Sequence, residues 1–141
     1  MAEAFLKQYL GAGFEIISAG TMSMTGMPPT QEAIDVMQEE GIDIASYRSK
    51  PLSDDIINSA ELILVMAEGH RQHIIAKNPK AEEKVHLIKE FAGIAGADIT
   101  VIDPIGQSME IYREVKDQLK ESSIKIAERL KENENEDSNR G

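Results

Sequence analysis

Leu62-Ile63-Leu64-Val65-Met66 is an unbroken apolar run between Ser59-Ala60-Glu61 and Ala67-Glu68-Gly69. A strand covered on one face alternates apolar and polar residues. One buried on both faces has no reason to, so this run predicts a central strand with packing on either side. A helical segment follows and is punctuated by Pro79, and 85–88 reads as the next strand. Upstream, Ser53-Asp54-Asp55 opens a short helix with its acids in the first turn, where the helix dipole favours them. Thr30 caps a helix carrying Ala33, Ile34 and Met37, with Gly41 just past its end. Ala2, Phe5, Leu6, Tyr9 and Leu10 recur at helical spacing until Gly11 and Gly13, and 14–17 reads as a short strand. Ser108 caps a long amphipathic helix with Tyr112, Val115, Leu119, Ile126 and Leu130 on one stripe. Strands alternating with helices specify an α/β fold: a parallel sheet with helices on both faces, in three layers. Only three strands are evident, and the opening helix has none before it. The strand and loop that ordinarily bind a ligand at the first helix are missing from the pattern.

With 141 residues, of which 41% are hydrophobic, the chain supports one domain with a real core. Twenty-five acids against fifteen bases give a net charge of −10, which argues against nucleic acid or an anionic membrane surface as partner. No apolar run approaches the roughly 20 residues that span a bilayer, and no secretory signal pattern opens the chain, so a cytoplasmic protein is expected. The absence of cysteine excludes disulfides, thiolate metal sites and a thiol nucleophile. Glu132, Glu134, Glu136 and Asp137 crowd a polar C-terminal stretch without apolar periodicity. The expected organisation is a domain over 1–131 and a disordered acidic tail over 132–141, solvated or serving as an interaction tail.

Asp103-Pro104 is the best chemical candidate. Proline fixes its own backbone and restricts the residue before it, so the carboxylate stands on a stiff loop; taken alone, the pair also reads as an ordinary turn. Its place between a strand-like run at 99–102 and a capped helix raises its interest. Ser18-Ala19-Gly20-Thr21 follows a strand and puts a hydroxyl at the ligand-binding edge of a sheet, or makes a polar turn. His70 and His73 lie three apart on a helix, either a solvated face or two ligands short of a third; no cofactor or metal is expected. His86 needs only an outward or partly buried strand position. Met22, Met24 and Met27 read as adaptable loop packing, and the Gly93 to Gly96 stretch interrupts a helix without opening a phosphate loop.

Met1-Ala2-Glu3-Ala4-Phe5-Leu6, Ser18-Ala19-Gly20-Thr21, Gly26-Met27-Pro28, Gly41-Ile42-Asp43-Ile44, the apolar run and Val101-Ile102-Asp103-Pro104 occur in this order. Together they resemble the low-molecular-weight protein tyrosine phosphatases, over about residues 1–130. The continuation Ile105-Gly106-Gln107-Ser108, with Ile111-Tyr112, is most similar to the bacterial branch that contains protein-arginine phosphatases. The resemblance implies that Asp103 protonates the leaving group and later activates water, and that Ser18 helps hold the phosphate loop. Tyr47 stands where many members have a loop-supporting His, and Ile105 replaces the aromatic residue usual after the Asp-Pro pair.

The family's phosphate loop is Cys, five residues, then Arg. It lies between a central first strand and the helix matching Met1 to Leu10, and this chain has neither strand nor loop. That strand runs between those matching 14–17 and 62–66, and its four or five buried aliphatic side chains are worth about 6–15 kcal/mol, as much as a whole domain's stability of about 5–15 kcal/mol. The expectation is therefore a phosphatase-like fold lacking its first strand, inactive as it stands and able to self-associate through exposed strand edges. With a restored site, a phosphorylated protein would be the substrate. The alternative is a non-catalytic binding or regulatory relative. A start-site error, a gene fragment or a genuine short protein would each give such a sequence.

Overall fold

The computed structural model describes residues 1–20, 25–94, 96 and 99–140, with side chains as far as 132. Its helices are α1 (Ala2–Leu10), α2 (Gln31–Glu39), α3 (Asp54–Ser59), α4 (Glu68–Lys77), α5 (Ile88–Phe91) and α6 (Met109–Arg140). The apolar run forms β1 (Ile63–Val65), which pairs in parallel with β2 (Val85–Leu87), Ile63 opposite Val85 and Val65 opposite Leu87. Parallel neighbours cannot be joined by a tight turn, and here α4 and a 3-10 segment, Pro79–Lys84, make the crossover.

Alternation along β1 assigns its side chains to two cores. Val65 packs with Ile57 of α3, Ile74 of α4, Val85 and Leu87. Leu64 and Met66 face the other cluster, built on Phe5 of α1, Val36 and Met37 of α2, and Tyr112, Val115 and Ile126 of α6. Helices therefore cover both faces, and the three-layer α/β arrangement follows from one strand's period. Local chemistry sets the helix starts: Thr30, Ser53 and Ser108 accept the N–H groups of Ala33 (3.3 Å), Ile56 (3.2 Å) and Ile111 (3.3 Å). Gly11 ends α1 at φ +74°, a conformation that costs glycine nothing. Among the described residues no helix is long and apolar enough to cross a membrane.

The sheet is smaller than the sequence predicts. Phe14 is extended (φ −129°, ψ 134°), yet among the described residues 14–17 joins no ladder, and the nearest pairing is an isolated bridge between Gly20 and Pro51. Phe14 and Ile16 still pack on the larger core while Ile17 is 47% exposed. The segment has strand-forming residues but, among the described residues, no neighbouring strand to bond. β1 shows the same deficit from its side: Val65 is buried, but Ile63, Leu64 and Met66 are only half-buried, because β2 is its sole ladder partner among the described residues. The strand-like run at 99–102 likewise forms no ladder among the described residues, although the Val101 N–H bonds Met66 O at 2.8 Å. Both observations leave 14–17 and β1 with no strand paired between them among the described residues. At the other end of the chain, α6 runs to Arg140 through the stretch expected to be a disordered tail. No Gly or Pro interrupts 109–140, and Glu132, Glu134 and Glu136 favour helix, while the Asn, Asp and Ser residues among them do not.

Candidate functional site

Asp103 sits on a loop braced from both sides. Val101 is tied to the end of β1, Pro104 is buried, and the Gln107 N–H reaches Pro104 O at 2.9 Å. The Asp103 carboxylate accepts the N–H of Ile105 at 3.0 Å, closing a small turn around itself while remaining exposed. Gly106 then turns at φ +82° so that Ser108 can cap α6. The proline, the turn and the following cap together fix where the carboxylate stands.

A second group meets it from α1. Glu3, in the first turn, accepts the Ser18 hydroxyl at 2.7 Å and the Lys7 ammonium at 2.8 Å. Lys7 also lies 5.4 Å from the centre of the Tyr47 ring. Burial pushes the Glu3 carboxyl up, but the hydrogen bonds from Lys7 and Ser18 outweigh it and hold the group below its ordinary value. An acid held ionised in this way is a weak base. The Ser18–Glu3 contact resembles a nucleophile–base pair in distance only and does not activate the hydroxyl.

Asp103, Pro104, Ser18 and Tyr47 line one cavity of about 300 Å³, floored by Val115 and Leu119 of α6 and reached by His70. The first turn of α1, whose N–H groups have no carbonyl of their own helix to bond, opens onto the same space. A broader groove of about 640 Å³ shares Glu3, Ser18, Tyr47 and Asp103 with the cavity and continues past Arg48, Lys50, Met27 and Ile105. All four residues singled out from the sequence thus converge on one cavity. Glu3 and Lys7 escape notice in the sequence because a first-turn acid with a lysine four residues on is an ordinary helix pattern. The only hint is Glu3's place in the Met1 to Leu6 segment.

Of the remaining candidates, His70 lines the same cavity and Met27 the groove. His70 is exposed, as a solvated face requires, whereas His73 is half-buried with Nε2 reaching no partner among the described residues. No group of three His, Cys, Asp or Glu among the described residues could hold a metal ion. His86 is partly buried, 5.4 Å from the Phe91 ring centre. Met27 lies exposed in the groove wall, while Thr21, Met22 and Met24 fall outside the described residues. A carboxylate, a helix N-terminus and a guarded cavity can exchange a proton with an anionic group and hold it. Nothing in the cysteine-free chain supplies a thiolate to attack one.

The low molecular weight phosphotyrosine protein phosphatase family matches residues 1–136. A protein-arginine-phosphatase of Geobacillus stearothermophilus is 34% identical over 130 residues, covering 92% of this chain and 86% of the relative. One from Bacillus subtilis is 31% identical over 134 residues, covering 93% and 87%. The solved structure of the YwlE arginine phosphatase from Geobacillus stearothermophilus is similar with a TM-score of 0.88 at 32% identity, covering 96% of this chain and 86% of that one.

Proposed function

The chain belongs to the low molecular weight phosphotyrosine protein phosphatase family, and from that premise we propose that it carries the leaving-group half of a protein phosphatase site. The observation behind this reading is Asp103, on its braced loop, sharing a cavity with Ser18, Tyr47 and the N-terminus of α1. In the family's reaction a cysteine thiolate attacks phosphorus and the leaving group departs with a proton from the aspartic acid. The phosphocysteine is then hydrolysed by water that the same carboxylate activates. Asp103 fills the acid and base role, Pro104 stiffens its loop, and the helix dipole of α1 favours the phosphoryl oxygens. Ser18 and Tyr47 support the phosphate loop in this reading.

Two features favour phosphoarginine over phosphotyrosine: relatives named protein-arginine-phosphatase match most of the chain, and aliphatic Ile105 offers no aromatic wall for a phenol ring. Because the chain contains no cysteine, a second reading has an observation of its own, that of a non-catalytic binding or regulatory relative.

Turnover of para-nitrophenyl phosphate and phosphoarginine by the purified chain is the first test. None is expected, since acid catalysis contributes only about 10²–10⁴-fold and cannot replace a nucleophile. Turnover that is abolished by Asp103→Asn would reveal another nucleophile and defeat the reading. Joining a family-type strand and Cys-x5-Arg loop ahead of Met1 is expected to give hydrolysis that is lost when the added Cys becomes Ser. Asp103→Asn is expected to reduce that hydrolysis by about 10²–10⁴-fold.

A further inference from the structure

The broader groove carries a charge opposite to that of the chain. The molecule has a net charge of −10, yet Arg48 and Lys50 both line the groove, and neither joins an ion pair among the described residues. Lys7 lies there too, but Glu3 neutralises it, and the Asp103 carboxylate offsets one of the two remaining cations, so the groove keeps a net positive charge. Arg48 donates to the carbonyl oxygens of Ala45 (2.8 Å) and Tyr47 (2.7 Å), which places its guanidinium without cancelling its charge.

The segment bearing both cations is also held in place. Gly26 N–H bonds Ser49 O and Ser49 N–H bonds Met27 O, each at 2.8 Å; Gly20 N–H bonds Lys50 O at 3.0 Å. A guanidinium already placed by two carbonyls costs a ligand less ordering than a loose side chain, and Lys50 stands beside it on a held backbone. Met27 (48% exposed) and Ile105 (66% exposed) line the same groove and add apolar surface beside the basic groups.

We propose that this groove binds the acidic flank of a phosphorylated protein substrate, its carboxylates paired with Arg48 and Lys50 and a neighbouring apolar side chain against Met27 and Ile105. The inference rests on reading Asp103 as the leaving-group acid, which puts the phosphorylated residue where groove and cavity meet and its sequence neighbours along the groove. A nucleic acid would match the cations but not the apolar surface, and a strongly acidic molecule repels a long polyanion.

The experiment uses the 141-residue chain and a fluorescein-labelled, unphosphorylated peptide of alternating Glu and Leu. Binding is followed by anisotropy against the same peptide with Gln for Glu and against single-stranded DNA of equal length. The Glu peptide is expected to bind about tenfold more tightly than the Gln peptide at low salt. That preference should shrink as the Debye length falls from about 30 Å at 0.01 M to about 8 Å at 0.15 M. Lys50→Glu should reduce it several-fold and Arg48→Glu with Lys50→Glu should remove it, while Lys125→Glu on α6 leaves it intact. Arg48 braces its own loop, so if the double variant is unfolded by circular dichroism, Lys50→Glu decides. Equal binding of the Glu and Gln peptides, a preference that survives folded Lys50→Glu, or tighter binding of DNA would each overturn the proposal. The probe carries no phosphate and the readout no turnover, so such a failure leaves the phosphatase reading standing. An extended chain that folds without activity would leave the groove result standing.

Discussion

Ser122 and Ser123 are both fully buried on α6, and neither hydroxyl reaches an acceptor among the described residues. A buried donor left unpaired costs about 1–3 kcal/mol, whereas a methyl group in the same place costs nothing to desolvate. Ser122→Ala and Ser123→Ala are therefore each expected to stabilise the chain by about 1 kcal/mol, read as a rise of about 2–6 °C in Tm. Unchanged or lower melting temperatures would mean the hydroxyls have acceptors after all. These residues do not stand out in the sequence because the α6 stripe is legible from its large apolar members, and two serines inside it look like a polar face. Asp103 is the opposite case: Pro104 beside it and the Ser108 cap after it announce a stiff loop in the sequence itself. Glu3 needs the fold to be noticed, since its partner Ser18 lies beyond the end of α1.

At the scale of elements, α2 and α6 are clamped by charge. Glu40 accepts Lys120 at 2.6 Å and Lys116 at 3.1 Å, Arg113 meets Glu39 at 2.9 Å, and the Tyr112 hydroxyl lies 3.0 Å from Thr30 Oγ1. Hydrogen bonds from Lys120 and then Lys116 hold the Glu40 carboxyl below its ordinary value against the effect of burial. A carboxylate depressed in the folded state stabilises above its unfolded pKa of about 4.3 and loses that contribution as pH falls through the folded value. Burial lowers Lys116, but Glu40 and Asp117 outweigh it and raise the group, so its contribution is full below the ordinary lysine value and lost only at high pH. The clamp should be intact at neutral pH. Glu40→Gln is expected to cost about 1 kcal/mol at pH 7 and to flatten the fall in urea midpoint below about pH 4. An identical acid profile in wild type and variant would remove Glu40 from the account. Helix starts are legible at this scale because a cap is local, as Thr30, Ser53 and Ser108 show. The strand expected at 14–17 does not form because a strand exists only with a partner, and residue pattern alone cannot supply one. The helical reach of α6 past 131 is hidden because the stretch lacks apolar periodicity and mixes Glu with the weaker helix formers Asn, Asp and Ser.

At the scale of the molecule, the two-stranded sheet and the extended segment beside it each keep an unpaired side: β1 bonds only β2, and 14–17 bonds no strand among the described residues. Exposed edges recruit other chains, so the 141-residue protein is expected to associate with rising concentration or to melt below the mesophile range of about 45–65 °C. A monomer by sedimentation at high concentration with a cooperative melt above that range would contradict this. Joining a family-type strand and loop ahead of Met1 tests the same deficit from the other side. Such a strand would bring backbone partners to both edges and four or five aliphatic side chains to the half-buried Leu64, Met66, Phe14 and Ile16, for about 6–15 kcal/mol. The extended chain should sediment as a monomer, and its urea m-value should rise because more surface is buried on folding. Stability and chemistry then separate. If the m-value rises and hydrolysis appears, the strand was the missing structural part and Asp103 the waiting acid. If the m-value rises and no hydrolysis appears, the sheet was incomplete but the site has decayed, and the non-catalytic reading takes precedence. An unchanged m-value with persistent association would mean that the gap between 14–17 and β1 does not accept a strand, and the central-strand account of this fold would fall.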